Sequence, residues 1–213
     1  LSKEKYAIIP HGDYRDIHPK KNQKDARKKL GLPSDKTIIL NIGYIRPYKN
    51  IPYLIKTFQD INTSKAHLVI AGRANSVALS NEINNLIKDT ENITFIDRFI
   101  EDDEISDVVS AADILVLPYR ETSLNSGAAF LGLSFDKAVI LPETNTFQEL
   151  QDQVGKDWII LFDDKNKRNT FKQQLKNTTQ NFIPQGNECD LSYFSWDSIA
   201  EKTDNFFHTI TKT

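Results

Sequence analysis

The chain has 213 residues, 39% of them hydrophobic and 26% charged, which is enough apolar material for one large domain with its own core. Its 27 Lys and Arg against 29 Asp and Glu create no overall field that would draw in nucleic acid or an anionic membrane, so any basic site must be local. The single Cys189 excludes an intramolecular disulfide and fits a reducing cytoplasm, and no signal peptide or apolar run of the ~20 residues needed to span a membrane is present.

Short apolar runs alternate with segments of helical spacing. The first run is Tyr6 to Ile9, followed by Thr37 to Gly43, Ala66 to Gly72, Asn92 to Asp97, Asp113 to Pro118, Ala138 to Pro142 and Trp158 to Phe162. They are continuous rather than alternating in polarity, as strands buried on both faces of a parallel sheet are. Between them, Ile51, Leu54, Ile55, Phe58 and Ile61 form one helical stripe, with Pro52 where a first-turn proline is tolerated. "DDEISDVVSAA" opens with acids, favourable at the positive end of a helix dipole. Residues 163–189 predict a helix and then a loop. A last amphipathic helix within 191–213 presents Trp196, Ile199, Phe206 and Ile210, either docked on this domain or turned towards another. The alternation predicts a doubly wound α/β domain with right-handed crossovers. A chain that opens at Leu1 and contains no Met is expected to be a piece of a longer protein.

In such a sheet ligands bind beyond the carboxyl ends of the strands. After the second run comes "GYIRPYKN": Gly43 permits close backbone approach, and Arg46 and Lys49 place two cations beside a helix start. They read equally as phosphate ligands or as solvated surface charges. Gly72 and Arg73 follow the next run, where a glycine is usually just a turn. Arg98 and Phe99 follow the fourth, against a nucleobase or, for Phe99 as the favoured reading, in the core. After the fifth, Ser126, Gly127 and Ala128 begin a helix, where free N–H groups and the dipole favour an anion, although Ser126 is also an ordinary N-cap. One sheet edge carrying both loops suits a diphosphate. Phosphate-loop, dinucleotide and nucleophile-elbow motifs are missing, and His11, His18, His67 and His208 lack metal-like spacing; His11 reads as a satisfied loop residue.

Several blocks then resemble, in order, the C-terminal domain of retaining GT-B-type glycosyltransferases of the glycogen-synthase and sucrose-synthase group 1 family. They are "IIPHGDY", "LNIGYIRPYKNIPYLIKTF", "AHLVIAG", "NITFIDRFIEDDEISDVVSAADILVLPYRE", "SGAAFLGLSFDKAVI" and "YFSWDSIAEKTDNFF", covering the chain from about Tyr6 to Phe207. The resemblance implies one Rossmann-like half of a two-domain enzyme: residues 1–213 bind the nucleotide-sugar donor, residues 191–213 supply the closing helix, and an absent N-terminal half binds the acceptor. Arg46 and Lys49 match the family's diphosphate-binding pair and would stabilise the leaving diphosphate, without a metal or cofactor. Gly43, Ser126, Gly127 and Ala128 complete that subsite. The family's two glutamates, on donor sugar and ribose, fall on Ser123 and Leu131, so both carboxylates are missing; Glu121 and Asn125 are the substitutes for the sugar.

The function implied is hexosyl transfer from a nucleotide diphosphate sugar to a glycan or lipid-linked acceptor in polysaccharide biosynthesis, with retention. This fragment alone would be inactive. The setting implied is cytoplasmic, at the inner face of the membrane where the acceptor is lipid-linked, and compatible with peripheral membrane association; no nucleic acid partner is expected. The alternative is a non-catalytic nucleotide-sugar-binding or partner-binding module. A nucleotide-sugar epimerase of similar architecture is disfavoured by the continuity of the transferase blocks.

Overall fold

The computed structural model describes residues 6–120, 126–167, 169–181 and 186–211. In chain order the elements are α1 (Gln23–Leu30), β1 (Thr37–Ile42), α2 (Ile51–Ile61), β2 (Ala66–Ala71), α3 (Val77–Ile87) and β3 (Ile93–Ile96). There follow α4 (Asp102–Ala111), β4 (Ile114–Val116), α5 (Gly127–Ser134), β5 (Ala138–Pro142), α6 (Asn145–Val154), β6 (Ile159–Phe162), α7 (Phe171–Asn181) and α8 (Trp196–Thr211).

The six strands form one parallel sheet in the order β3-β2-β1-β4-β5-β6. Ile39 of β1 stands opposite Leu68 of β2 and Ile114 of β4, so β1 is the centre from which the chain winds both ways. Side chains alternate across the pleat. Ile38, Leu40 and Ile42 point into a core layer with Val109 of α4, Leu133 of α5 and Phe147 of α6. Ile39 joins the opposite layer with Leu54 and Phe58 of α2, Ile83 of α3 and Phe171 of α7. This two-sided burial explains why the sequence runs are continuous, and it confirms the doubly wound α/β expectation. No described helix is long and apolar enough to cross a membrane.

One expectation changes, and one left open is narrowed. Residues 6–9 form no strand and pair with neither sheet edge; Ile8 is 82% exposed. Ile8 and Ile9 instead line a second cavity with Phe130, Phe147 and Tyr193. The closing helix is docked through its start. Ile199 is buried, whereas Phe207 and Ile210 are exposed. The Trp196 indole lies over Gly12, where an added Cβ would come within 2.5 Å of the ring, and its Nε1–H donates to the Asp13 carbonyl at 3.0 Å. The Asp13 N–H in turn donates to the Phe194 carbonyl at 3.0 Å, so the two ends of the chain are stitched together.

Candidate functional site

The order of strands reverses between β1 and β4, and the crevice beyond their carboxyl ends is the expected ligand position of an open parallel sheet. A cavity of about 390 Å³ occupies it, walled by the loops after β1, β2 and β3, by the start of α5 and by the turn at residues 14–18.

Lys49 and Arg73 are the cations that line it, and of the two Lys49 is the buried one. The Arg46 carbonyl accepts from the Lys49 N–H, closing a tight turn that ends at Asn50 with φ 59° and aims the lysine back under β1. Its side chain is buried, 6% exposed, and Nζ donates to the Ile42 carbonyl at 3.2 Å. No carboxylate pairs with it among the described residues; burial first, and the Arg46 charge second, pull its pKa from 10.5 down to about 8. Gly43 makes the room. At φ +106° it has no Cβ, and one built there would lie 2.8 Å from Lys49 Nζ. Gly72, at φ +144°, is more than a turn: a Cβ would fall 2.3 Å from the Gly43 carbonyl oxygen, so the loops after β1 and β2 touch peptide to peptide. A bridge between Ile45 and Ala74 pins them beyond that contact.

The start of α5 faces the same cavity. Ser126 is 5% exposed; its hydroxyl accepts from the Ala129 N–H at 3.2 Å and shares a hydrogen bond of 3.1 Å with Tyr119 Oη. The capping reading therefore holds for this hydroxyl. The backbone of Gly127 and Ala128 lines the cavity, and first-turn N–H groups precede any helical acceptor. Burial raises the Tyr119 pKa to about 12, keeping that phenol a neutral donor.

Other expectations separate. Arg46 is exposed, its guanidinium 5.2 Å from the Tyr44 ring centroid, and does not line the cavity. Arg98 also lies outside it, held by Glu104 through two bonds of 2.6 and 2.7 Å. Phe99 is 60% exposed and lines the cavity, which overturns the favoured core reading: the chain turns into α4 at Glu101, leaving the ring on the rim. Asp102, the first residue of α4, lines the same end. Leu131 is a buried apolar wall. Glu121, Ser123 and Asn125 lie outside the described residues. His11 is satisfied as expected, bonded to the Gly12 carbonyl at 2.7 Å and stacked on Phe130.

Tyr14, Tyr48 and Tyr119, which no sequence motif marks, and His18, weighed above only as a metal ligand, all line the cavity. A polar aromatic cluster in "GDYRDIHP" was the available signal for Tyr14 and His18.

Residues 22–124 match the family described as Glycosyl transferases group 1. The chain is 26% identical over 193 residues to the GDP-mannose:glycolipid 4-beta-D-mannosyltransferase of Xanthomonas campestris pv. campestris, covering 91% of this chain and 52% of that protein. It spans about half the length of the curated relatives it matches. Sucrose-phosphate synthase from Thermosynechococcus elongatus superposes with a TM-score of 0.69 at 19% identity, over 97% of this chain and 53% of the other. Anabaena HepE, solved in complex with UDP-glucose, superposes with a TM-score of 0.63 at 12% identity, over 95% of this chain and 56% of its own. At those identities the structural likeness establishes the fold.

Proposed function

We propose that this chain, which has a GT-B-type fold and matches the group 1 glycosyltransferase family over residues 22–124, is the donor-binding part of such an enzyme, and that its cavity holds a nucleoside diphosphate hexose for transfer of the sugar to a glycolipid. The acceptor is held mainly by a partner domain. The observation that carries the reading is Lys49, a buried ammonium with no carboxylate partner among the described residues, beside a helix start in an open cavity. A buried cation without a counter-charge is costly to the fold, and a diphosphate would supply that charge. Lys49 and the N–H groups of Gly127 and Ala128 would bind the two phosphates and stabilise the negative charge that develops as the sugar departs. Arg46, on the rim above Tyr44, adds charge that attracts the donor.

Phe99 offers an exposed ring on the cavity wall for a base to stack on, and Asp102 supplies a carboxylate to the same lining. A carboxylate accepts hydrogen bonds only, which suits the paired N–H donors of guanine and opposes uracil and adenine less well matched to it. The Xanthomonas relative is named for GDP-mannose and a glycolipid, in keeping with that chemistry. The resemblance implied retention. That relative's name specifies a β-linked product, and the sugar of GDP-mannose is α-linked, so a reaction of that kind inverts. We therefore take inversion as the reading for this chain.

The test is incubation of the full-length protein with GDP-mannose, UDP-glucose or ADP-glucose and a glycolipid acceptor, following the product by proton NMR. The expected result is transfer from the GDP-sugar with a β anomeric signal at first appearance. An α-linked product would reject inversion alone. Nucleotide-sugar binding without turnover on any acceptor would favour the non-catalytic module, and no binding of any nucleoside diphosphate would reject the whole reading.

A further inference from the structure

If a nucleoside diphosphate lies between Phe99 and Lys49, its ribose must rest between them, and this inference depends on that reading. Ile42, Ile100, Ile105 and Leu131 give the cavity apolar walls. A ribose brings two hydroxyls, each both donor and acceptor, and leaving them unpaired in such surroundings is unfavourable. The turn at residues 14–18 supplies polar groups. Tyr14 Oη adjoins the first residue of α5, lying 3.0 Å from where a Gly127 Cβ would be. His18 belongs to the same turn, its ring stacked at 6.0 Å from that of Tyr14.

His18 differs from the other histidines of the chain. His11, His67 and His208 are bonded through their rings to the Gly12 carbonyl, the Thr94 hydroxyl and the Asp204 carbonyl. His18 is only 8% exposed, lines the cavity, and has no ring hydrogen bond among the described residues. A neutral imidazole offers one donor and one acceptor, the complement of a sugar hydroxyl. The turn is held in advance. The Ile17 and His18 N–H groups both donate to the Tyr14 carbonyl, at 3.1 and 2.9 Å, and the Tyr14 N–H donates to Ser134 Oγ at 2.9 Å.

We propose that His18, with Tyr14 beside it, binds the ribose hydroxyls of the nucleotide and so makes the site select ribonucleotides over deoxyribonucleotides. The experiment is calorimetric titration of this chain with GDP, UDP and ADP and with the 2′,3′-dideoxy form of each. The ratio is taken within whichever base binds, so an error in the guanine assignment leaves the test intact. Wild type should bind the dideoxy form roughly tenfold more weakly, the worth of one or two hydrogen bonds. His18→Phe keeps the ring and should bind both forms alike. His18→Gln restores one donor and one acceptor and should recover part of the discrimination; it also serves if the Phe variant does not fold. Equal binding of both forms by wild type, or full tenfold discrimination in a folded His18→Phe, would overturn the proposal. Failure of every nucleoside diphosphate to bind would remove both this proposal and the functional reading beneath it.

Discussion

Lys49 and Arg46 look alike in the sequence, two cations three residues apart, yet the structure gives them opposite surroundings. Lys49 is 6% exposed while Arg46 stands on the rim over Tyr44. Spacing revealed the charge, but the burial depends on the contact between Gly43 and Gly72, which belong to different loops. The same blindness affects Phe99: an apolar residue after a strand looks like core until the direction of α4 is known. The consequence for stability can be worked out for Lys49. Its folded pKa of about 8 lies below the 10.5 of an unhindered lysine, so between those values the unfolded chain holds more protons. Stability from this group therefore rises with pH across that window, and below about pH 8 its burial costs the fold up to about 3 kcal/mol. Lys49→Met removes the buried charge. Urea unfolding of both proteins should show the variant more stable at pH 7, with its advantage shrinking as pH rises from 8 to 10.5. A variant less stable than wild type at pH 7 would mean that the ammonium is satisfied in a way this account omits.

Strands and helices were mostly readable, because burial on two faces writes long apolar runs that nothing else in a chain of this composition requires. The exception is instructive. "YAII" has the same character as "TIIL", but Ile8 is 82% exposed while Ile38 and Ile39 are buried. An apolar run does not by itself place a segment in the sheet. The connections between elements were less visible still. Asp136, in the left-handed region at φ 54°, ends the turn after α5. Its carboxylate accepts from the Arg15 guanidinium at 3.1 Å, from Lys20, and from the Cys189 N–H at 3.0 Å. One side chain thus fastens the N-terminal turn and the segment before α8 to the end of α5. Asp136→Asn tolerates the same backbone but loses the charge. Hydrogen bonds to charged groups contribute roughly 1.5–3 kcal/mol each, and partial exposure reduces that, so a loss of about 1–2 kcal/mol in urea unfolding is expected, with faster hydrogen exchange at Tyr14 and Cys189. Unchanged stability and exchange would show that the clasp holds nothing.

The molecule as a whole is a sheet whose reversal between β1 and β4 creates a crevice, and the polar groups that line it are delivered by loops at the strands' carboxyl ends and by the turn at residues 14–18. Position was therefore inferable from topology, whereas the polar aromatic lining was not: Tyr14, His18, Tyr48 and Tyr119 come from separate segments that only the completed fold brings together. The chain spans about half the length of its curated relatives, and the account assigns to this half the nucleotide and the departing diphosphate. That assignment rests on Lys49 answering a ligand's charge. Titrating wild type and Lys49→Met with GDP and with guanosine at pH 7 separates the diphosphate from the nucleoside. The account predicts at least a tenfold loss of GDP affinity in the variant, unchanged guanosine affinity, and a melting temperature no lower than that of wild type. GDP affinity equal to wild type, or an equal loss for guanosine and GDP, would contradict it.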